Sequence, residues 1–263
     1  MRRPVALLLG LSLWEGASRS GWVHPSLVPP PTTVARVLAE LVVGGQIWPH
    51  LRVTVAEALG GLGLGIALGA VLGLIAALLR PVAEVLEPAM ALLNAVPRVI
   101  LAPLFVIWLG IGVASKVALS FLLVMVMVFF AVYTGIREVD PRLVERVRTL
   151  GGGPSHLVRE VYVPSVTAWF LSTLKVAVGF AFTGAVVGEF VAASRGVGYI
   201  LSFAQSTYNA PLVVALILLV VAIILALFAL FERLERIWLR WKPEYRPTPP
   251  RALPSGVDKA KGE

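Results

Sequence analysis

Apolar residues run through this chain in long stretches, separated by short clusters of charge, proline and glycine. Val53 to Leu79 carries one charge, Glu57. Val117 to Ile136 and Leu212 to Phe231 carry none, and Val166 to Val191 holds Lys175 and Glu189. Val85 to Leu109 is interrupted by Asn94, Pro97 and Arg98. Val5 to Trp14 reaches spanning length only by taking in Glu15 and Arg19. A helix needs ~20 apolar residues to cross the hydrocarbon core. The pattern therefore predicts about six transmembrane helices, near residues 4–20, 53–79, 85–109, 116–136, 166–191 and 211–231. The expected fold class is all-α, a polytopic membrane helix bundle filling residues 1–242. Arg2 and Arg3 ahead of the first apolar run also suit a signal peptide, but no clear A-x-A site follows, so a retained first span is expected.

Charge sets the expected orientation. Arg19, Arg36, Arg52, Arg98, Lys116, Lys175 and Arg195 lie outside or within the spans, and the other sixteen of the 23 cations fall on the inner segments. By the positive-inside rule both termini are expected in the cytoplasm of a cell-membrane protein. Pro29 to Pro31 should stop the chain before a short interfacial helix, Val34 to Val43, capped by Thr32 or Thr33. The tail, residues 243–263, is rich in proline and charge and reads as disordered. Gly61, Gly65, Gly69 and Gly73 recur every fourth residue, on one helix face that another helix can approach closely. Part of that face is also a candidate subunit contact.

Composition narrows the classes. The chain has 263 residues, 58% hydrophobic and 14% charged, with mean hydropathy +0.86. Soluble domains carry about 25% charged residues. Cysteine is absent, which removes disulfides, thiolate metal sites and cysteine nucleophiles. His24, His50 and His156 are far apart and expected in loops, so no catalytic or metal site is predicted. The net charge of +8 reads as inner-loop charge, not nucleic-acid binding, because no basic stripe is interleaved with aromatics.

The most informative stretch is the inner loop, residues 137–165. Asp140-Pro141 is an N-cap followed by proline at the first helical position. A helix to Leu150 puts Leu143, Val147 and Leu150 on one face, and Gly151 to Gly153 ends it. Pro154 opens a second short helix to about Glu160, and Pro164 closes the segment before the next span. Such apolar faces pack on their own bundle, on lipid, or in a socket of a cytosolic partner, and amphipathicity alone does not choose.

The spacing does more. Glu145, Gly151 six positions on, then Val161-x-Val163-Pro164 resembles the EAA loop of binding-protein-dependent ABC importer permeases. Arg146 and Val147 replace the two alanines of that pattern. Leu92-Leu-Asn-Ala-Val-Pro-Arg98, Pro103 to Gly112, Gly188-Glu189, Gly196-x-Gly198-Tyr199 and Glu232 to Trp241 are similar to the nitrate/sulfonate/taurine branch. The resemblance covers about Trp14 to Lys242.

It implies an importer-type permease fold with cytoplasmic coupling helices. It also implies a second permease copy, two cytosolic ABC ATPase subunits and an extracytoplasmic solute-binding protein. Glu145, Gly151, Val161, Val163 and Pro164 would form the ATPase-coupling loop. No G-x-x-x-x-G-K-[ST] phosphate cradle occurs in the chain. The protein is therefore expected not to be an enzyme itself, to hold no cofactor, and to leave ATP and Mg to the partner. Asn94, Pro97, Arg98, Lys175 and Glu189 are the candidate translocation path, because polar groups at membrane depth are costly and mark pathways. Their two cations favour a small anion of the sulfonate, taurine or nitrate type, with an uncharged pyrimidine-like vitamin precursor as the alternative. An ion channel or an intramembrane enzyme would need a filter ring or a paired catalytic set. Gly196-Val-Gly198-Tyr199 is only superficially like a filter.

Overall fold

The structure, a computed structural model, describes residues 2–22 and 27–238. His24 and the tail expected to be disordered lie outside them. The described chain forms eleven α-helices: α1 Arg2–Arg19, α2 Pro31–Val43, α3 Ile47–Leu78, α4 Arg80–Ala95, α5 Leu101–Leu109, α6 Val113–Arg137, α7 Pro141–Thr149, α8 Pro154–Leu157, α9 Val163–Val191, α10 Val197–Ser206 and α11 Ala210–Trp238. Among the described residues, four stretches are long and apolar enough to cross a membrane: Ile47–Leu78, Val113–Arg137, Thr173–Val191 and Ala210–Arg233. The core lies where α3, α6 and α9 meet, around Ala58, Leu62, Val124, Val128, Val178 and Phe182. α11 flanks α9 through Ile224, Leu227 and Phe228.

The sequence pattern places one span over 85–109, and the structure divides it. α4 stops at Ala95, Val96 is extended at φ −69°, ψ 129°, and a 3-10 turn, Arg98–Ile100, leads into α5. The cause is Pro97, which disfavours helical angles at the residue before it and has no N–H to donate. Hydropathy summed across the segment does not register that break. α3 in turn starts at Ile47, earlier than the apolar run, so His50 sits in its first turn and not in a loop.

Glu15 and Arg19 of α1 have partners. The Glu15 carboxylate accepts from the Thr32 backbone N–H at 3.1 Å and the Thr32 hydroxyl at 2.8 Å, and pairs with Arg19 at 2.5 Å. Glu15 thus does for α2 what Thr32 or Thr33 was expected to do: an acidic oxygen satisfies a free N–H at a helix start. Pro30 stands at the N-cap with no side-chain bond of its own.

The glycine face of α3 is filled by α6 of the same chain, which answers whether part of it is free for another subunit. A Cβ on Gly61 would lie 2.2 Å from Ser120 Cβ, and on Gly65 2.6 Å from Val124 Cβ. On Gly69 and Gly73 it would meet the Met125 and Phe129 carbonyl oxygens at 2.6 and 2.7 Å. Backbone cannot yield as a side chain can. Gly69→Val should therefore lose about 1–3 kcal/mol or more through overpacking, read as a lower temperature of aggregation in detergent. Gly63→Val meets nothing within 4 Å and should match the parent. Equal stability of the two variants would contradict the close α3–α6 packing.

Candidate functional site

Three features of the bundle carry polar chemistry or exposed geometry. The first is the loop after α6. Asp140 caps α7, its carboxylate accepting from the Arg142 N–H at 2.9 Å. α7 has no buried residue. Glu145 is exposed on it, and its carbonyl accepts from the Thr149 hydroxyl at 2.9 Å. Gly151 turns the chain at φ +81°, a region glycine enters at little cost. The Gly151 and Gly152 N–H groups close the helix end on the Arg148 and Val147 carbonyls, both at 2.9 Å.

Beyond the glycines the structure departs from the expected short helix with a break at Pro164. α8 passes without interruption through a π-helical turn, Val158–Tyr162, into α9. Pro164 is the second residue of α9 and directly follows that turn. The wider π turn absorbs the mismatch that a straight α-helix would meet at that proline. Val161 is buried and anchors the turn, and Val163 is exposed. The loop is therefore one exposed helix, a glycine corner, and a second arm continuous with a long span.

The second feature is a cluster of ionisable side chains at the opposite end of the bundle. Thr54 and Glu57 on α3, Lys116 on α6 and Glu189 on α9 are each at most 3% exposed. The Glu189 carboxylate accepts from the Thr54 hydroxyl at 2.7 Å and from the Gly198 N–H at 2.7 Å. The Thr54 oxygen accepts from the Val197 N–H at 2.9 Å, and His50 Nδ1 from the Gly196 N–H at 3.1 Å. Lys116 donates to the Ile111 carbonyl. Glu57 lies against Glu189 and Lys116, hydrogen-bonded to Glu189, with its Oε2 buried and unpartnered.

This explains two glycine motifs. A Cβ on Gly196 would lie 2.1 Å from the Glu189 carboxyl carbon, and one on Gly188 would lie 3.0 Å from Lys116 Cγ. Gly188-Glu189 and Gly196-x-Gly198 exist so that backbone can close over a buried carboxylate and a lysine stem. Neither Glu57 nor Lys116 is among the expected pathway residues, and both are interior. Ser120, one turn along α6, donates to the Ala181 carbonyl at 2.8 Å where Gly61 and Gly184 let three helices touch.

The third feature is a cavity of about 350 Å³ between the end of α4, α6 and α9. Asn94, Val96, Pro97, Leu119, Phe180 and Thr183 are among its walls. Of the expected pathway residues, Asn94 and Pro97 face it. Arg98 opens the 3-10 turn beside it, but its side chain lies outside the described residues. Lys175 is half-buried in α9, and neither it nor Glu189 is among the described lining residues. Thr183 escapes a sequence reading because a single hydroxyl in an apolar span satisfies itself on its own helix, here on the Gly179 carbonyl at 2.9 Å.

Residues 69–239 match the family described as binding-protein-dependent transport system inner membrane component. The chain belongs to this family. An aliphatic sulfonates transport permease protein of Escherichia coli is 31% identical over 242 residues, covering 92% of this chain and 91% of that protein. A riboflavin transport system permease protein of Chloroflexus aurantiacus is 32% identical, covering 80% and 78%. In fold the chain is similar to an amino acid ABC transporter structure, at TM-score 0.58 and 18% identity over 78% of this chain and 98% of that one. The all-α bundle is thus an importer-type ABC permease fold, and the protein is a multi-pass membrane permease subunit of an ABC importer.

Proposed function

We propose that two copies of this permease form the translocation path, that two cytosolic ATPases dock on the loop from Arg137 to Ser165, and that an extracytoplasmic binding protein delivers the solute. The observation that carries this is the exposed helix, glycine corner and continuous second arm on a chain of this family. Glu145, Gly151, Val161, Val163 and Pro164 belong to that loop. A partner socket would cover the apolar surface that α7 leaves exposed, Leu143 and Leu150 included. ATP and Mg would be held by the partner.

The loop end faces the cytoplasm in this reading. Arg137, Arg142, Arg146, Arg148 and Arg159 crowd there, as the positive-inside rule requires. Both termini are then cytoplasmic, and the Glu189 cluster is extracytoplasmic. Reporter fusions at Lys242 and Ala204 should report opposite compartments. The same compartment for both would contradict the orientation.

We propose the cavity walled by Asn94, Pro97 and Thr183 as part of the path and a small anion of the sulfonate or taurine type as the solute. Support comes from Arg98 at the cavity's edge, Lys175 deeper in α9 and the sulfonate-permease relative. Arg98→Ala should lower uptake of an aliphatic sulfonate at least several-fold while the complex assembles and hydrolyses ATP as before. Unchanged sulfonate uptake would assign Arg98 to packing. Uptake of riboflavin or a pyrimidine in place of sulfonates would replace the anion reading, and the riboflavin-permease relative makes that panel necessary.

A further inference from the structure

The helix that ends in the cavity wall and the start of the loop are joined by three side chains. Tyr133, buried near the end of α6, donates its hydroxyl to Glu87 Oε2 on α4 at 2.6 Å. The same hydroxyl accepts from the Arg137 guanidinium at 2.5 Å, which also lies over the Tyr133 ring, 5.3 Å from its centroid. Tyr133 is itself held against Phe129, with the rings stacked at 5.7 Å. Arg137 ends α6 and begins the loop. Glu87 is seven residues before Asn94, two helical turns along α4 and on the same face. α4 continues from Glu87, past Pro88, to Asn94 and the cavity wall that follows it.

The remainder of the molecule is built so that α4 can answer a pull on Glu87. From Leu79 to Gly112, only Ala83, Met90 and Ala102 are buried among the described side chains, whereas α6 alone buries fifteen residues. The segment has a joint at each end. Leu79 is extended at φ −116°, ψ 104°, between two helices. Gly110 turns at φ +80° with no atom within 4 Å of its Cβ position. Just beyond Gly110, the Ile111 carbonyl is pinned by Lys116 of the buried cluster. The outer ends of α3, α6 and α9 are thus locked, and the arm between Leu79 and Gly110 hangs from that lock.

We infer that the Glu87–Tyr133–Arg137 relay couples movement of the loop to the α4–α5 arm, making the arm the moving wall of the path. The inference rests on the proposed reading of the cavity and the loop. Tyr133 is a positioning residue: it touches no solute and acts through Glu87 and Arg137. It joins two exposed ionic side chains through one buried hydroxyl, so a change at either end is felt at the other.

The test is the solute carried per ATP hydrolysed, measured in proteoliposomes holding the full complex with its ATPase and loaded binding protein. Tyr133→Phe removes only the hydroxyl. Docking and ATP hydrolysis should persist, and transport per ATP should fall roughly tenfold, the worth of one hydrogen bond to a charged group. Glu87→Leu should match it, and Glu87→Gln, which keeps an acceptor oxygen, should restore most of the coupling. The double variant Tyr133→Phe with Glu87→Leu should be no worse than either single one, because both cut the same link. Parental transport per ATP in Tyr133→Phe, or additive losses in the double variant, would overturn the relay. The cavity is tested separately. This chain has no cysteine, so Thr183→Cys gives a single labelling site on the permease, and the permease is labelled before the partners are added. A bulky maleimide there should block uptake whatever moves the arm. Blocked uptake with a fully coupled Tyr133→Phe overturns the relay alone. Unblocked uptake overturns the path reading and the relay with it.

Discussion

Lys116→Met is expected to destabilise the bundle by about 3–5 kcal/mol, the usual result of removing one partner from a buried charge cluster. Methionine fills the space of the lysine stem, so packing on Gly188 is kept. What changes is charge. The hydrogen-bonded Glu57–Glu189 pair, which shares one proton, would keep its negative charge with no cation beside it, and the Ile111 carbonyl would lose its donor. Lipid offers no water to take up the difference. The readout is the temperature at which the detergent-solubilised protein loses its monodisperse form. A second variant separates charge from shape. Lys116→Met with Glu57→Leu removes the cation together with the carboxyl that has an unpartnered oxygen, and leaves Glu189 its donors from Thr54 and Gly198, so it should recover more than half of the loss. A parental transition temperature for Lys116→Met alone would show that the ammonium does not hold this end of the bundle.

Gly151→Val should leave the protein in the membrane at normal level, with ATPase docking weakened and uptake lost. The penalty is conformational. No atom stands within 4 Å of a Cβ at Gly151, so a side chain meets no clash, only the positive φ of +81°. A β-branched residue held there costs on the order of 1–3 kcal/mol. α7 has nine residues and no buried anchor, so that strain is enough to misplace it. Gly151→Asn, which enters the left-handed region more readily, should dock and transport nearly as the parent does. Gly152→Ala fails for a different reason, because its Cβ would lie 2.8 Å from the Val147 carbonyl oxygen. Glu145→Arg, an exposed charge reversal, should give a milder docking loss. Membrane level, retained ATPase and uptake are measured together. Full docking and full uptake for Gly151→Val would make Gly151 an ordinary loop residue.

Much of this architecture is legible in the chain because it is local. Hydropathy locates α3, α6, α9 and α11, and the Asp140-Pro141 start and the glycine end delimit α7 within a residue. The four-residue glycine spacing foretells close helix packing, although not that α6 is the partner. What the sequence hides is long-range or depends on backbone detail. Thr54, Lys116 and Glu189 are single polar residues on three separate spans, and nothing in their neighbours shows that they converge. Lys116 follows Gly112 so closely that it reads as a helix-end charge. Tyr133 passes as an aromatic in an apolar stretch, although Arg137, one turn on, was the available hint. Pro97 was seen as an interruption, but its effect on ψ of Val96 is a steric matter that hydropathy ignores. The passage through Pro164 depends on a π turn, for which no residue pattern stands as a signal.

The most direct test of the permease assignment is the chain purified from its native membrane and reconstituted with the ATPase and binding protein that accompany it. Uptake should need all three proteins and ATP, with hydrolysis stimulated by the loaded binding protein and carried out by the partner subunit. Solute uptake by this chain alone, unaffected by ATP or by removal of the ATPase, would contradict the permease assignment.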